Sequence, residues 1–275
     1  MGTSHRHTPT VKGEPNWGKA SAAVTALTGA IAELDELVHN PPANVTSKQI
    51  EKRERTLEQR KAHHYHKAVR HLISAAGGRV KVSSGSSLAL GRAGVTGIGG
   101  FIAALQDIVT NGLLDWLRQK GETLEGKTCR DVIAVIREYA ETEISGLDST
   151  AANEALECVF DQLQEKIGDD VENIESILVS LIAGDELKNM IDLFFGMYIF
   201  CHLSQDFEEK LEFERGSDAM RNTMIIIKDQ IIDDIKTCRS DRDVRKIDWS
   251  NKSEGDAFIK EEFDRILYIL EGDEN

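Results

Sequence analysis

The run ANEALECVFDQLQEKI, residues 152–167, decides the fold class. Ala152, Ala155, Leu156, Val159, Phe160, Leu163 and Ile167 recur at three- and four-residue steps, with Glu154, Glu157, Asp161 and Glu165 between them. That period belongs to an amphipathic α-helix. Similar stripes run toward the C-terminus, at Val171 to Ile182, at Met220, Met224, Ile227, Ile231 and Ile235, and at Phe258 to Leu270. Toward the N-terminus they continue at Val132, Ile133, Ile136, Tyr139 and Ala140, and at Leu105, Ile108, Val109, Leu113, Trp116 and Leu117. Met190 to Leu203 is apolar on nearly all sides, but its 14 residues include Asp192 and His202. It is too short and too polar to cross a bilayer, and the expectation is a central buried helix. No strand-like alternation competes, so the chain reads as all-α, with an acidic helical domain over 101–275 able to fold alone.

Upstream, Val24, Leu27, Ile31, Leu34 and Leu37 mark a helix from Ala20 to Val38, stopped by Pro41-Pro42. A second helix starts at Thr46, where Gln49 completes a capping-box pattern, and runs to about Ala76. Between Glu51 and His64 its one large apolar residue is Leu57, so that stretch should project into solvent or lie against a polar partner. These elements make a basic helical region, 18–76, behind a flexible arm, 1–17. Residues 77–100 hold eight of the 22 glycines together with Ser83, Ser84, Ser86 and Ser87. Each glycine costs a helix roughly 1 kcal/mol, and a Gly/Ser-rich linker is expected there.

The 275 residues carry a net charge of −14, unevenly spread. Residues 1–100 hold 14 Lys and Arg against 7 Asp and Glu, while 101–275 hold 19 against 40. Seven of the eight histidines also lie in the first hundred. Two regions with different partners are implied. A mean hydropathy of −0.33 and the absence of a long uncharged apolar run or a secretory-type start point to a cytoplasmic protein without membrane contact. Cys129, Cys158, Cys201 and Cys238 are widely spaced, without a Cys-x-x-Cys pair, and read as reduced core thiols.

Three patterns bear on chemistry. Gly121-Glu-Thr-Leu-Glu-Gly126-Lys127-Thr128 fits the phosphate-cradling G-x-x-x-x-G-K-T pattern, which would make Lys127 a phosphate ligand and Thr128 a Mg²⁺ ligand. The pattern works only behind a buried strand, and here an amphipathic helical stretch precedes it. The same letters fit a helix ending at Gly121 and another capped by Thr128 with Asp131 three residues on. Second, Lys52, Arg53, Arg60, Lys61 and Arg70 form a basic surface suited to nucleic acid or an acidic protein. His63 with His66, and His64 with His71, share faces of that helix, but no carboxylate or cysteine completes a metal shell and no metal is expected. Third, Gly94, Gly97, Gly99 and Gly100 do not follow the dinucleotide spacing. His202 reads as a satisfied core histidine. Neither a catalytic constellation nor a cofactor emerges from the residues.

The arm carries a more specific signal. Met1-Gly-Thr-Ser-His-Arg-His-Thr-Pro9, continuing through Lys12-Gly-Glu-Pro-Asn-Trp17, resembles the N-terminus of the QatB components of Qat anti-phage defence systems. A basic helix, a Gly/Ser-rich segment and an acidic helical body are compatible with that family along most of the chain. The resemblance implies a non-enzymatic subunit acting beside a QueC-like enzyme of the QatC type, an ATPase and a TatD-like nuclease. By the same resemblance Gly2 would accept a deazaguanine-type group while Thr3, Ser4, His5, Arg6 and His7 engage the partner. A small second residue permits removal of Met1, leaving a glycine amine of pKa about 7.7–8.0, partly neutral and nucleophilic. Myristoylation wants Ser or Thr where Arg6 stands. Two other readings stay open: a nucleic-acid-binding adaptor using the basic helix 48–71, and a nucleotide hydrolase built on Lys127 and Thr128.

Overall fold

The computed structural model describes residues 16–42, 44–140, 146–169, 171–238 and 243–272, and the regular elements among them are all helical. α1 (Asn16–His39) and α2 (Ser47–Ala75) form a hairpin around Pro41-Pro42. Gln49 Oε1 accepts the Thr46 N–H at 3.0 Å, closing the start of α2. Between Lys48 and Arg60 every side chain but Ile50 and Leu57 is exposed, as the thin apolar pattern requires. The second half of α2 buries Tyr65, Ala68, Val69, Leu72 and Ile73, a full helical stripe. A bridge from Arg60 to Glu33, 2.8 Å, ties the two arms of the hairpin.

The glycine-rich segment is not a linker. It folds as α3 (Arg79–Ser83), a serine-containing turn, and α4 (Arg92–Asn111), so the expected boundary at residue 100 falls inside a helix. Its glycines buy closeness rather than flexibility. Gly91 has φ of +116°, and a Cβ there would stand 2.2 Å from the Val82 carbonyl oxygen. A Cβ on Gly94 would stand 2.6 Å from the Tyr198 ring, and one on Gly100 3.3 Å from the Ala140 backbone. Four glycines in α4 cost about 4 kcal/mol of helix propensity. Burial of Phe101, Ile102, Leu105 and Ile108 offsets that, at about 1.5–3 kcal/mol each.

α5 (Leu113–Gln119), α6 (Cys129–Ala140), α7 (Leu147–Ile167) and α8 (Ile174–Ala183) surround α4 on its far sides. α9 (Glu186–Arg215) is the central helix expected from Met190 to Leu203, flanked by α7 and by α10 (Ser217–Thr237). α11 (Lys252–Glu271) closes the assembly against α2, α3, α4, α9 and α10. One continuous apolar core runs from Ala20 in α1 to Leu270 in α11. Residues 101–275 are therefore not a separate domain, because the first half of α4 and the inner face of α2 belong to their core. α4 is the one described helix long and apolar enough to span a membrane by length and composition, yet its apolar face is spent on α6, α7 and α8. None of the four cysteines forms a disulfide; Cys129 and Cys201 are buried in the core, Cys158 is half-buried and Cys238 is exposed.

Two glycines of α4 should respond to alanine with opposite signs. Gly94→Ala overpacks against Tyr198 and should cost about 1–3 kcal/mol, whereas Gly99→Ala, with open space around the new methyl, should gain about 0.5–1 kcal/mol. Chemical denaturation of both variants measures the difference.

Candidate functional site

The densest buried polar cluster gathers at the N-terminus of α4. Asp148, in the first turn of α7, is 9 % exposed, and His202 of α9 is 2 % exposed. Asp148 Oδ2 accepts the Ala93 N–H at 2.8 Å, and Oδ1 accepts the Gly91 N–H at 3.2 Å. The Tyr198 hydroxyl donates to the same Oδ1, and His202 Nε2 lies 3.1 Å from it, placing the imidazole proton on Nε2. Burial raises the cost of charging Asp148, but the bonds from His202, Tyr198 and the Ala93 amide outweigh it and hold the carboxyl below the usual range. Burial and the Asp148 charge push the Tyr198 phenol well up. The helix dipole of α4 adds to the stabilisation of the anion. Asp148 takes four donors from inside the protein, three on Oδ1 and one on Oδ2, so this cluster fastens three helices.

A second charged cluster joins α9 to α11. Lys188 Nζ lies 2.7 Å from Asp192 Oδ2 and 3.0 Å from Glu262 Oε1, and Arg265 reaches both carboxylates. Burial, with the like charge of Glu262 opposing the two cations, pushes Asp192 up to about 6. Glu262 is held below its ordinary value despite burial, because Arg265 and Lys188 both bond it. The two cations and two carboxylates satisfy one another within the core.

The Lys127 and Thr128 segment has the geometry of a cap. α5 ends before Gly121, whose φ is +79°, and Gly126 turns at +75°. Thr128 N–H and Oγ1 both donate to Asp131 Oδ2 at 2.7 Å, and the Asp131 N–H returns to Thr128 Oγ1 at 3.3 Å. These bonds hold Asp131 below its ordinary pKa. Lys127 Nζ is paired with Glu122 at 2.9 Å. No strand feeds the loop, the lysine faces a carboxylate, and the nucleotide reading loses its structural basis.

The basic surface of α2 is divided. Arg60 is bound to Glu33 and Lys61 to Glu58, while Arg70 Nη2 donates to the carbonyls of Glu271 and Gly272 at 2.8 and 3.2 Å. His66 Nδ1 sits 3.0 Å from the Leu270 carbonyl, so this face of α2 caps the end of α11. Lys52 and Arg53 remain exposed beside a cleft lined also by Glu33, Glu36 and Leu37. The five predicted basic residues are thus not one free patch. No cluster of three or more His, Cys, Asp or Glu suited to a metal occurs among the described residues. Gly2, Thr3, Ser4, His5, Arg6 and His7 lie outside the described residues. Sequence reasoning placed His202 in the core but missed its partners. The available signal was glycine at 91 and 94, where a chain must approach something closely.

Compared with family models, with curated proteins and with solved structures, the chain matches none.

Two outcomes test these assignments. Asp148→Asn should lower stability at pH 7 by about 3 kcal/mol through loss of the buried charge-assisted bonds. Because the folded carboxyl titrates below the unfolded one, the wild-type advantage is full above the unfolded pKa and fades as pH falls through the folded value, so the two proteins should converge in acid. Denaturant midpoints across pH measure this. Thr128→Ala should cost about 1 kcal/mol as a lost cap, while Lys127→Ala, which breaks one surface pair, should cost about half that or less. An equal or larger loss of stability at Lys127 contradicts the cap assignment.

Proposed function

We propose that this chain is a non-enzymatic, cytoplasmic helical subunit of a bacterial anti-phage defence complex of the Qat type, whose N-terminal arm is engaged and modified by a QueC-like partner enzyme. The observation that carries the reading is the arm itself, Met1 to Trp17, with its small second residue, its His5-Arg6-His7 donors and its Pro9 and Pro15. Pro fixes the backbone in an extended form suited to threading a cleft. The two strongest polar clusters of the body fasten helices, which is consistent with a chain whose chemistry is supplied by others. Addition of the Gly2 amine across the carbon of a deazaguanine nitrile gives an amidine without a leaving group. An amide instead requires a carboxyl that the partner has activated. The ATPase and TatD-like nuclease of such systems would be the further partners of the complex.

Mass spectrometry of the N-terminal peptide, purified with and without the QueC-like enzyme, tests the reading. A mass increase confined to Gly2 and dependent on the partner is expected. Unmodified Gly2 in a protective system, or full protection by a variant lacking residues 2–8, contradicts it.

A further inference from the structure

A face of α2 adjacent to the one that caps α11 opens onto a cleft of about 390 Å³ in the seam with α1. Its walls are Lys19 from α1 and His64, Lys67 and His71 from α2, and its floor is Ala22, Ala23 and Ala26. His64, Lys67 and His71 occupy successive turns, a ladder spanning about 10 Å at 1.5 Å per residue. Lys19 faces that ladder from the neighbouring helix. Among the described residues no carboxylate lines the cleft. Arg60, Lys61 and Arg70 nearby each have a partner, whereas no ion pair joins any of these four groups to a described acid.

We propose that this cleft binds a small phosphate-bearing ligand, with Lys19, His64, Lys67 and His71 holding linked phosphate groups over the alanine floor. In a chain with 47 acids and 33 Lys and Arg, four basic groups kept together without an acid repel one another unless an anion joins them. The repulsion registers on both histidines. Burial, then His63, Arg60 and Lys67 pull His64 below its ordinary value, and burial, then Lys19, Lys67 and Arg70 do the same to His71. All the charged groups named around the two rings are basic. A phosphate dianion reverses this balance and binds the protonated rings most strongly, since it supplies two charges and several acceptors in one compact group. Three donors on successive turns and one across the seam suit a di- or triphosphate. Alanines at 22, 23 and 26 keep the floor low where larger side chains would fill the space. A nucleic-acid strand fits less well, because among the described residues no Phe, Tyr or Trp lines the cleft as a stacking platform for a base. This site is independent of the arm and of the modification proposed for it.

Titration calorimetry of the full chain with inorganic pyrophosphate at fixed ionic strength, at pH 6 and pH 8, tests the proposal. Saturable binding, about tenfold tighter at pH 6, is expected, a factor of ten being the effect of one pKa unit. Lys67→Ala and Lys19→Ala, both exposed positions, should each weaken it about tenfold, or 1.4 kcal/mol, with circular dichroism unchanged. Adenosine triphosphate competing at the same site extends the ligand class to nucleotides. Binding that is indifferent to both lysines, absent at pH 6, or seen with a long oligonucleotide but not with pyrophosphate overturns the proposal.

Discussion

A buried carboxylate at the start of a helix organises this fold. Asp148 reaches from α7 to the first amides of α4 and receives the Tyr198 hydroxyl and His202 ring from α9. An unpaired carboxylate in that position costs several kcal/mol, so its four donors must arrive together or the charge cannot be buried. Meeting that condition fixes the register of α9 through residues 198 and 202, one turn apart. It also fixes where α4 begins, since Gly91 must turn at positive φ directly against the Val82 carbonyl. Around that point α4 touches α5, α6, α7, α8, α9 and α11, and the core closes.

The parts of the fold that were legible in the sequence are those whose signal is local. The stripe at 152–167 became α7, the apolar run at 190–203 became the middle of α9, and the thin pattern at 51–64 became the exposed half of α2. The glycine-rich segment was illegible for a physical reason. The propensity cost of Gly94, Gly97, Gly99 and Gly100 is written in the sequence, but the benefit depends on Tyr198 and Ala140, which are 104 and 40 residues away from Gly94 and Gly100. Asp148 was hidden in another way. It is one of 47 acids, and nothing in its neighbours distinguishes a buried carboxylate from a solvated one. Lys127 and Thr128 show the converse, a motif whose letters match while its strand is missing.

The charge division of the chain acquires a physical meaning in α2. One face holds the end of α11 through His66 and Arg70, another pairs with α1 through Arg60 and Glu33, and a third gathers basic groups around the alanine-floored cleft. The net positive charge of the first hundred residues is thus partly structural and partly available. In the proposed function the body serves as a platform and the reactive group is the amine at the chain's start. The proposed phosphate cleft lies in the seam between α1 and α2.

The central claim is that α4 is rooted in the core by Asp148 and not tethered as a linker. Native-state hydrogen exchange of the Gly91 and Ala93 amides measures this most directly, since first-turn amides of a helix ordinarily exchange by fraying. The account predicts that both exchange only through global unfolding, with the same free energy as the core of α9. Exchange of these two amides at rates typical of exposed loops, while α9 stays protected, would contradict it.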